Sequence, residues 1–325
     1  MKNIYSLAFL VIMLGSYCHA QTGETEYGFS FGVRSGIIYG QASELVFPVP
    51  GDTKGELLSE LLWDIKPVFY LGIYADIKRK NQFEIPGLFS SISFKAGIPA
   101  DTGYIEDRDW MSFENAALTH FSSHTNKTNL FFNAEISFGA AVPVRNNFYF
   151  KTFINGSWIH YAFTGRDGYG KYAREKSVYP RTYYAIDDDP KIYDFTGMEL
   201  INYKQDWLIF SPGFSAGARM FNVLTIDLSL KISLFNYCIA QDEHISLKDK
   251  YVDIIYGNLF LEPAADIIFS INRFDIMFNI TWKQLSGSSG FSYKNNNDAG
   301  FFLSQNKSGA AINFIDACLL VKIRL

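Results

Sequence analysis

The chain has 325 residues, with 29 basic and 33 acidic side chains and a formal net charge of −4. Aromatic residues make up 17% of it while the mean hydropathy is zero, which excludes a disordered chain and favours a sheet with one apolar and one polar face. The sequence has no basic stripe, which argues against a nucleic-acid partner, and no run of about 18 apolar residues, which argues against membrane-spanning helices.

The first 20 residues have the features of a secretory signal peptide. Lys2 supplies the positive charge, residues 4–14 form a short apolar segment, and Cys18-His19-Ala20 resembles a cleavage site. A lipoprotein anchored through Cys18 is the alternative, but Tyr17 stands where lipidation needs a small residue. We predict a signal peptide at residues 1–20 and a single exported domain at residues 21–325.

Two cysteines, Cys238 and Cys318, remain in the predicted mature chain. Two cysteines do not make a disulfide framework, and they lie 80 residues apart without a nearby histidine, a spacing that fits no zinc site. We interpret both as residues of the sheet wall.

The mature chain alternates apolar and polar residues many times. Tyr27, Phe29, Phe31 and Val33, for example, share one face of an extended segment. A period of two predicts strands rather than helices. We predict ten strands, at residues 27–39, 61–75, 91–98, 129–142, 148–164, 208–219, 223–239, 259–271, 274–282 and 315–325.

The predicted connections alternate between short and long ones. Long polar connections fall at residues 41–55, 101–125, 165–199, 241–257 and 285–308. This layout predicts an all-β fold: a ten-stranded antiparallel transmembrane β-barrel of the bacterial outer membrane, with long extracellular loops. A soluble barrel or sandwich is the alternative, although Arg34, Lys95, Glu135 and Lys231 lie on the face opposite the apolar one.

A barrel of this size has a narrow interior filled by side chains, so we expect function to reside in the long connections. Asp107 and Asp109 lie in one of them, and Asp242 and His244 in another. Acidic pairs on loops are most often solvated and sometimes bind calcium. However, an Asp and a His two residues apart in an extended segment share a face, and the carboxylate makes the imidazole a better base. A facing pair of carboxylates can hold a water molecule and share a proton.

One structural condition follows for this pair. Even-numbered residues such as Leu228 and Leu230 form the lipid face of the predicted strand 223–239, and Asp242 and His244 are also even-numbered. They can point into the interior only if a bulge or extra twist reverses the alternation within residues 235–240.

At this point the chain resembles the omptin family, the outer-membrane proteases of Gram-negative bacteria, over essentially its whole mature length. Residues 105–111 are similar to the family's Asp-x-Asp-Trp-Met motif with its acidic pair, and residues 241–244 to its Asp-Glu-His motif. Residues 59–63, 161–164 and 202–205 are weaker matches.

The resemblance implies an endopeptidase site on the extracellular side of the barrel. By motif, Asp242 would orient His244, His244 would act as the base, and Asp107 and Asp109 would position the attacking water and the oxyanion. No covalent intermediate, cofactor or metal ion is expected. Ser122-Ser123-His124 matches a Ser-x-His stretch of the family, but no nucleophile elbow surrounds either serine, so we do not count these residues as catalytic.

The family prefers peptide or protein substrates with basic residues, which acidic side chains bind. Glu44 is the expected substrate-binding acid. A second acid, two residues before the catalytic Asp, is replaced here by Ala240, and a further one by His120. Because losing a hydrogen-bonding partner costs roughly 1–3 kcal/mol, we expect the preference for basic residues to be weaker or altered.

Lipopolysaccharide is a partner on which the family depends, through arginines on the outer wall. His160 and Asp206 occupy the matching positions here, and they cannot form the same bidentate contacts to phosphate. We therefore hypothesise that this barrel does not require lipopolysaccharide.

The sequence is also compatible with two other functions. One is a non-catalytic adhesin or binding barrel that uses the same loops. The other is a metal site formed in the loops by Asp107, Asp109 and His244.

Overall fold

The structure, a computed structural model, describes residues 27–49, 56–79, 83, 85–145, 147–285, 289–296 and 300–325. The predicted signal peptide lies outside these residues. Within them all regular structure is β-strand, and no helix is long and apolar enough to cross a membrane. The strands are β1 (Tyr27–Phe47), β2 (Ser59–Arg79), β3 (Gly87–Gly97), β4 (Ala100–Asp109), β5 (His120–Arg145), β6 (Phe148–Tyr172), β7 (Glu175–Val178), β8 (Arg181–Tyr183), β9 (Lys191–Asp194), β10 (Glu199–Met220), β11 (Leu224–Ser233), β12 (Phe235–His244), β13 (Asp249–Tyr256), β14 (Phe260–Ile271), β15 (Phe274–Leu285), β16 (Ser289–Asn296) and β17 (Phe301–Arg324).

The main sheet closes on itself because β1 pairs with both β2 and β17, and every pairing is antiparallel. Over the described residues the ring has ten positions. Six are single strands, and four are shared by consecutive strands: β3 with β4, β11 with β12, β13 with β14 and β15 with β16. The predicted ten-stranded barrel is confirmed. The short strands β7, β8 and β9 lie between β6 and β10, outside the ring.

Tight connections cluster at one end of the barrel, which we call the turn end. Phe221 and Asn222, in the three-residue connection between β10 and β11, both have positive φ, 53° and 58°, and Asn272, between β14 and β15, has φ of 51°. At the opposite end, the loop end, the strands run further than the alternation predicts. Residues 101–109 and 241–244, predicted as loop, belong to β4 and β12.

The outer face of the barrel is apolar and its interior near the turn end is charged. Val33, Leu71 and Ile154 are 58%, 62% and 67% exposed. Inside, Lys95 contacts Asp316 at 2.5 Å, and a cavity of about 670 Å³ is lined mostly by charged and polar side chains. This is the reverse of a soluble barrel, whose apolar side chains would face inward, and it fits a barrel surrounded by lipid.

Trp63, Phe163 and Tyr203 form a buried aromatic cluster, the aromatic floor, on the loop side of this cavity. The ring of Trp63 stacks on Tyr203 with centroids 5.1 Å apart and on Phe163 at 5.4 Å. All three side chains are buried. The interior above the floor lies beyond the level of the outward-facing Tyr39, Trp158 and Trp282.

Replacing Asp316 by Asn should destabilise the barrel strongly. The change leaves the buried Lys95 without its carboxylate and also alters the hydrogen bond that Tyr70 Oη donates to Asp316 Oδ1 at 2.5 Å. Breaking a buried pair typically costs about 3–5 kcal/mol. The measurement is denaturant unfolding in detergent micelles, followed by tryptophan fluorescence. Asp316→Asn combined with Lys95→Met should recover part of the loss, whereas a single variant as stable as the wild type would contradict the argument.

Candidate active site

Asp242 and His244 lie at the loop end of β12, and their side chains point into the barrel. In β11 the buried interior side chains, Asp227 and Ser233, are odd-numbered, whereas in β12 they are even-numbered. The change occurs at Leu234, where β10 pairs with β11 and β12 in registers that differ by one residue. The reversal that the sequence required is present, one residue ahead of the predicted segment.

The Asp242 carboxylate holds the imidazole of His244. Asp242 Oδ2 lies 2.7 Å from His244 Nε2, and the ring is 32% exposed while the carboxylate is buried. Burial alone would lower the pKa of His244, but the charges of Asp242, Asp107 and Asp109 outweigh it and raise the pKa to about 9. The ring is therefore strongly basic and open to solvent on one side.

Asp107 and Asp109 lie at the loop end of β4. Because they are two residues apart on a strand, both side chains point to the interior face. The hydroxyl of Ser59, on the neighbouring β2, donates to Asp107 Oδ1 at 3.4 Å. Burial raises the pKa of Asp107 to about 6, and the Asp242 charge contributes in the same direction. Burial and the Asp107 charge raise the pKa of Asp109 well above its usual range. The two carboxyl groups retain a proton between them more readily than isolated acids do.

The two pairs meet in one crevice above the aromatic floor. Strands β5, β6 and β10 separate β4 from β12 around the ring, so the pairs approach each other across the interior. The His244 cation opposes the rise in the pKa of Asp107, and the Asp107 charge raises that of His244, as expected for groups facing the same space. Tyr203, in the floor, lies directly opposite Asp242 on β10.

Glu44, the predicted substrate-binding acid, lies on β1 in the same crevice and is 4% exposed. Burial raises its pKa well above the usual range, and the charges of Asp242, Asp253 and Asp107 add to this effect. Ala240 is fully buried two residues below Asp242 and opposite Asp253 on β13. The structure therefore brings all five predicted site residues together.

His120 lies opposite Asp109 on β5, at the rim of the crevice. Its ring packs edge-on against Tyr172 and Tyr183, with centroids 4.9 and 5.2 Å apart. Burial and the nearby Arg181 charge lower the pKa of His120, so it is neutral at physiological pH. This position offers an aromatic contact rather than a negative charge.

Ser122 and His124 form a hydroxyl–imidazole pair on β5. His124 Nδ1 donates to the backbone carbonyl of Asp167 at 2.7 Å, and Nε2 accepts from Ser122 Oγ at 2.8 Å. A carbonyl, not a carboxylate, orients this ring, and burial lowers its pKa. The pair therefore lacks the acid that stabilises the imidazolium in a serine-protease triad.

Sequence reasoning missed Asp253 and Ser59, which also face the crevice. The signal for Asp253 was its alternation with Tyr251 and Ile255, which place it on the interior face of β13, but residues 241–257 were predicted as loop.

The alternative of a metal site formed by Asp107, Asp109 and His244 gains no support, because the described residues contain no group of three or more such side chains with metal-binding geometry.

Fold and site together define a class: an outer-membrane β-barrel with a carboxylate–imidazole crevice above its membrane-spanning part. The sequence model of the Omptin family matches residues 25–324. The chain belongs to the omptin family, and it is accordingly a peptidase of the bacterial outer membrane.

Comparison with solved structures supports the same fold. The crystal structure of the outer membrane protease OmpT from Escherichia coli superposes with a TM-score of 0.81 at 16% identity, covering 94% of this chain and 99% of that one. The transport unit of the autotransporter AIDA-I from Escherichia coli, at 8% identity, covers 95% of this chain and 97% of its own, with a TM-score of only 0.36. At that score the likeness carries no argument. A search of curated protein sequences found no match.

The unusual basicity of His244 is directly measurable. In 13C-histidine NMR spectra of the protein in micelles, the His244 signal should titrate with a pKa of about 9 in the wild type. In Asp242→Asn the main raising charge is gone while burial remains, so the pKa should fall by at least one unit. Glu243→Gln, which changes an exposed neighbour, should leave it near 9. An unchanged titration in Asp242→Asn would show that the carboxylate does not control the ring.

Proposed function

We propose that this barrel is an endopeptidase that hydrolyses exposed peptides or proteins by an activated water, without a covalent intermediate. The observation that carries the proposal is the 2.7 Å contact between Asp242 and His244, facing the Asp107–Asp109 pair across one solvent-accessible crevice. Each group has a chemical task in such a reaction, and none of them is a nucleophile that would form an acyl-enzyme.

In this mechanism a water molecule lies between His244 and the Asp107–Asp109 pair. His244 accepts a proton from the water as the water oxygen adds to the peptide carbonyl, and Asp242 stabilises the resulting imidazolium. The imidazolium then gives the proton to the leaving amine as the C–N bond breaks. The proton retained by the acid pair is donated in a hydrogen bond to the carbonyl oxygen, where negative charge develops.

The charge of the resting site explains why a basic substrate suits it. At neutral pH a ring with a pKa of about 9 is mostly protonated and cannot act as a base. A cationic substrate side chain bound at Glu44 lowers the pKa of His244 by repulsion and by neutralising nearby carboxylates. The neutral base then forms when substrate is present, next to a basic residue. With Ala240 and His120 in place of acids, the proposed preference differs from that of the family.

We further propose that the loop end faces the outside of the cell. The family resemblance supports this orientation, as does the position of the crevice beyond the outward-facing Tyr39, Trp158 and Trp282. Substrates would then reach the crevice without crossing the membrane.

Lipopolysaccharide is not a required partner in this proposal. On the outer wall His160 Nδ1 contacts Asp206 Oδ1 at 2.8 Å, and Trp158 Nε1 donates to the same oxygen at 3.0 Å. The imidazole also stacks on Phe132. A site whose histidine is already bound to a carboxylate repels a phosphate group more than it attracts one.

Hydrolysis of a quenched Arg-Arg peptide by intact cells tests the function. Cells expressing the wild type should cleave it, and cells expressing Asp242→Ala should be slower by roughly 10²–10⁴-fold, the usual contribution of a general base. Glu243→Gln is the matched control and should cleave like the wild type. Equal hydrolysis by wild type and Asp242→Ala would favour a non-catalytic binding barrel. Loss of the purified protein's activity in EDTA would favour the metal site.

Purified protein in detergent, free of lipopolysaccharide, should hydrolyse the same peptide at full rate. Adding lipopolysaccharide should change the rate less than about twofold, because Asp206 opposes phosphate binding. His160→Arg combined with Asp206→Arg should create a response to the lipid. Activity of the wild type that appears only after lipopolysaccharide is added would overturn this part of the proposal.

A further inference from the structure

Asp253 lies in the crevice, although no sequence motif points to it. Its side chain is on the interior face of β13, 2% exposed, directly opposite Ala240 on β12 and Ser292 on β16. Both neighbours are small, so the carboxylate projects into the space that they leave. The hydroxyls of Ser292 and Ser308 lie beside it and stabilise its ionised form.

The buried acids of the barrel fall into two groups. In the described part of the chain eight Asp and Glu residues are buried, and five of them contact a Lys or Arg. These five line the interior on the turn side of the aromatic floor: Asp76, Asp227, Glu262, Asp275 and Asp316. The other three, Glu44, Asp242 and Asp253, lie on the loop side. Asp242 contacts His244, whereas no Lys or Arg of the described residues contacts Glu44 or Asp253.

The orphaned atoms of these three acids converge on one region. Glu44 Oε2, Asp242 Oδ1 and Asp253 Oδ1 are buried without a hydrogen-bond partner among the described residues. Burial raises the pKa values of Glu44 and Tyr203, and the charge of Asp253 adds to both effects, as expected if the two carboxylates lie near each other above the floor. A buried carboxylate oxygen without a partner is costly, and a cationic donor on a substrate would satisfy these atoms.

We propose that Asp253 and Glu44 together form the receptor for the basic side chain of the substrate residue that supplies the scissile carbonyl. The inference rests on the proposed function and identifies a specificity-determining residue for it. A guanidinium carries five N–H donors in a rigid fork, enough to satisfy carboxylates on both sides. Asp253 supplies, from β13, the negative charge that Ala240 does not supply from β12, so a preference for a basic residue persists in an altered receptor.

The pKa of Asp253 agrees with this geometry. Burial, with repulsion from Asp242, raises the pKa of Asp253 to about 6. Because a raised acid pKa means that the carboxylate is lost at higher pH than usual, discrimination in favour of a basic substrate should decline as the pH falls below about 6. A bound cation reverses the repulsion and holds both acids ionised.

The test uses two quenched peptides that differ at one residue, Arg or its neutral isostere citrulline, at the position that supplies the scissile carbonyl. The quantity is the ratio of kcat/KM for the two peptides. Asp253→Asn should lower this ratio roughly 10- to 100-fold, as loss of a charge-assisted hydrogen bond does, with little effect on the citrulline peptide. Asp266→Asn is the matched control. It makes the same change on the turn side of the aromatic floor, where Asn279 donates to Asp266, and should keep the wild-type ratio.

A second variant controls for misfolding as the cause of any loss. Ala240→Asp combined with Asp253→Asn moves the carboxylate to the directly opposite residue and should restore most of the ratio. A wild-type ratio in Asp253→Asn would overturn the proposal, and so would an equal loss on both peptides, because that pattern indicates a structural role.

Binding measured without turnover separates this inference from the proposed function. Isothermal titration with argininamide and citrulline amide should show tighter binding of argininamide by the wild type and loss of that difference in Asp253→Asn. If the wild type hydrolyses neither peptide but shows this binding pattern, the proposed peptidase mechanism fails while the cation receptor stands. If the wild type binds both amides equally, the receptor is wrong.

Discussion

A strand that lies in hydrocarbon has no water to satisfy its amide and carbonyl groups, so the sheet of this protein must close on itself. Closure places apolar side chains such as Val33 and Ile154 outside, facing lipid, and leaves charged ones inside. Inside, each carboxylate needs a cation because the alternative is an uncompensated buried charge. The pairs Lys95–Asp316 and Lys322–Asp76 show how the turn half of the interior meets this requirement.

The loop half of the interior does not provide a cation for each buried carboxylate, and this difference marks the site. Above the aromatic floor, the buried acids Glu44, Asp242 and Asp253 contact no Lys or Arg of the described residues, and the pKa values of Glu44 and Asp109 rise well above their usual range. Such a site is electrostatically unfavourable when empty and becomes favourable when a cation binds. The closed barrel below it supplies the rigidity that holds like charges close together.

The alternation of residues was sufficient to predict ten strands and their order, because lipid on one side and polar groups on the other impose a strict period of two. The alternation did not predict the parts of the strands that extend above the membrane. There the outer face meets water, so residues 101–109 and 241–244 lost the apolar signal and were predicted as loops. The bulge at Leu234 could be inferred only indirectly, from the parity of Asp242 and His244. The site residues themselves came from the motifs, since the meeting of β4 with β12 depends on ring closure, which no local pattern encodes.

The proposed role of Asp253 shows how a comparison of sequence motifs can miss a residue that affects substrate specificity. A motif compares residues at the same position along the chain, and Ala240 by that comparison is a lost acid. In an antiparallel sheet, however, directly opposite residues on neighbouring strands have Cβ atoms about 5 Å apart and share a face. A carboxylate on β13 can therefore reach the space that a carboxylate on β12 would fill, from a residue 13 positions away in sequence. In the proposed receptor, a substrate cation would meet the charge in that space, whichever strand carries it.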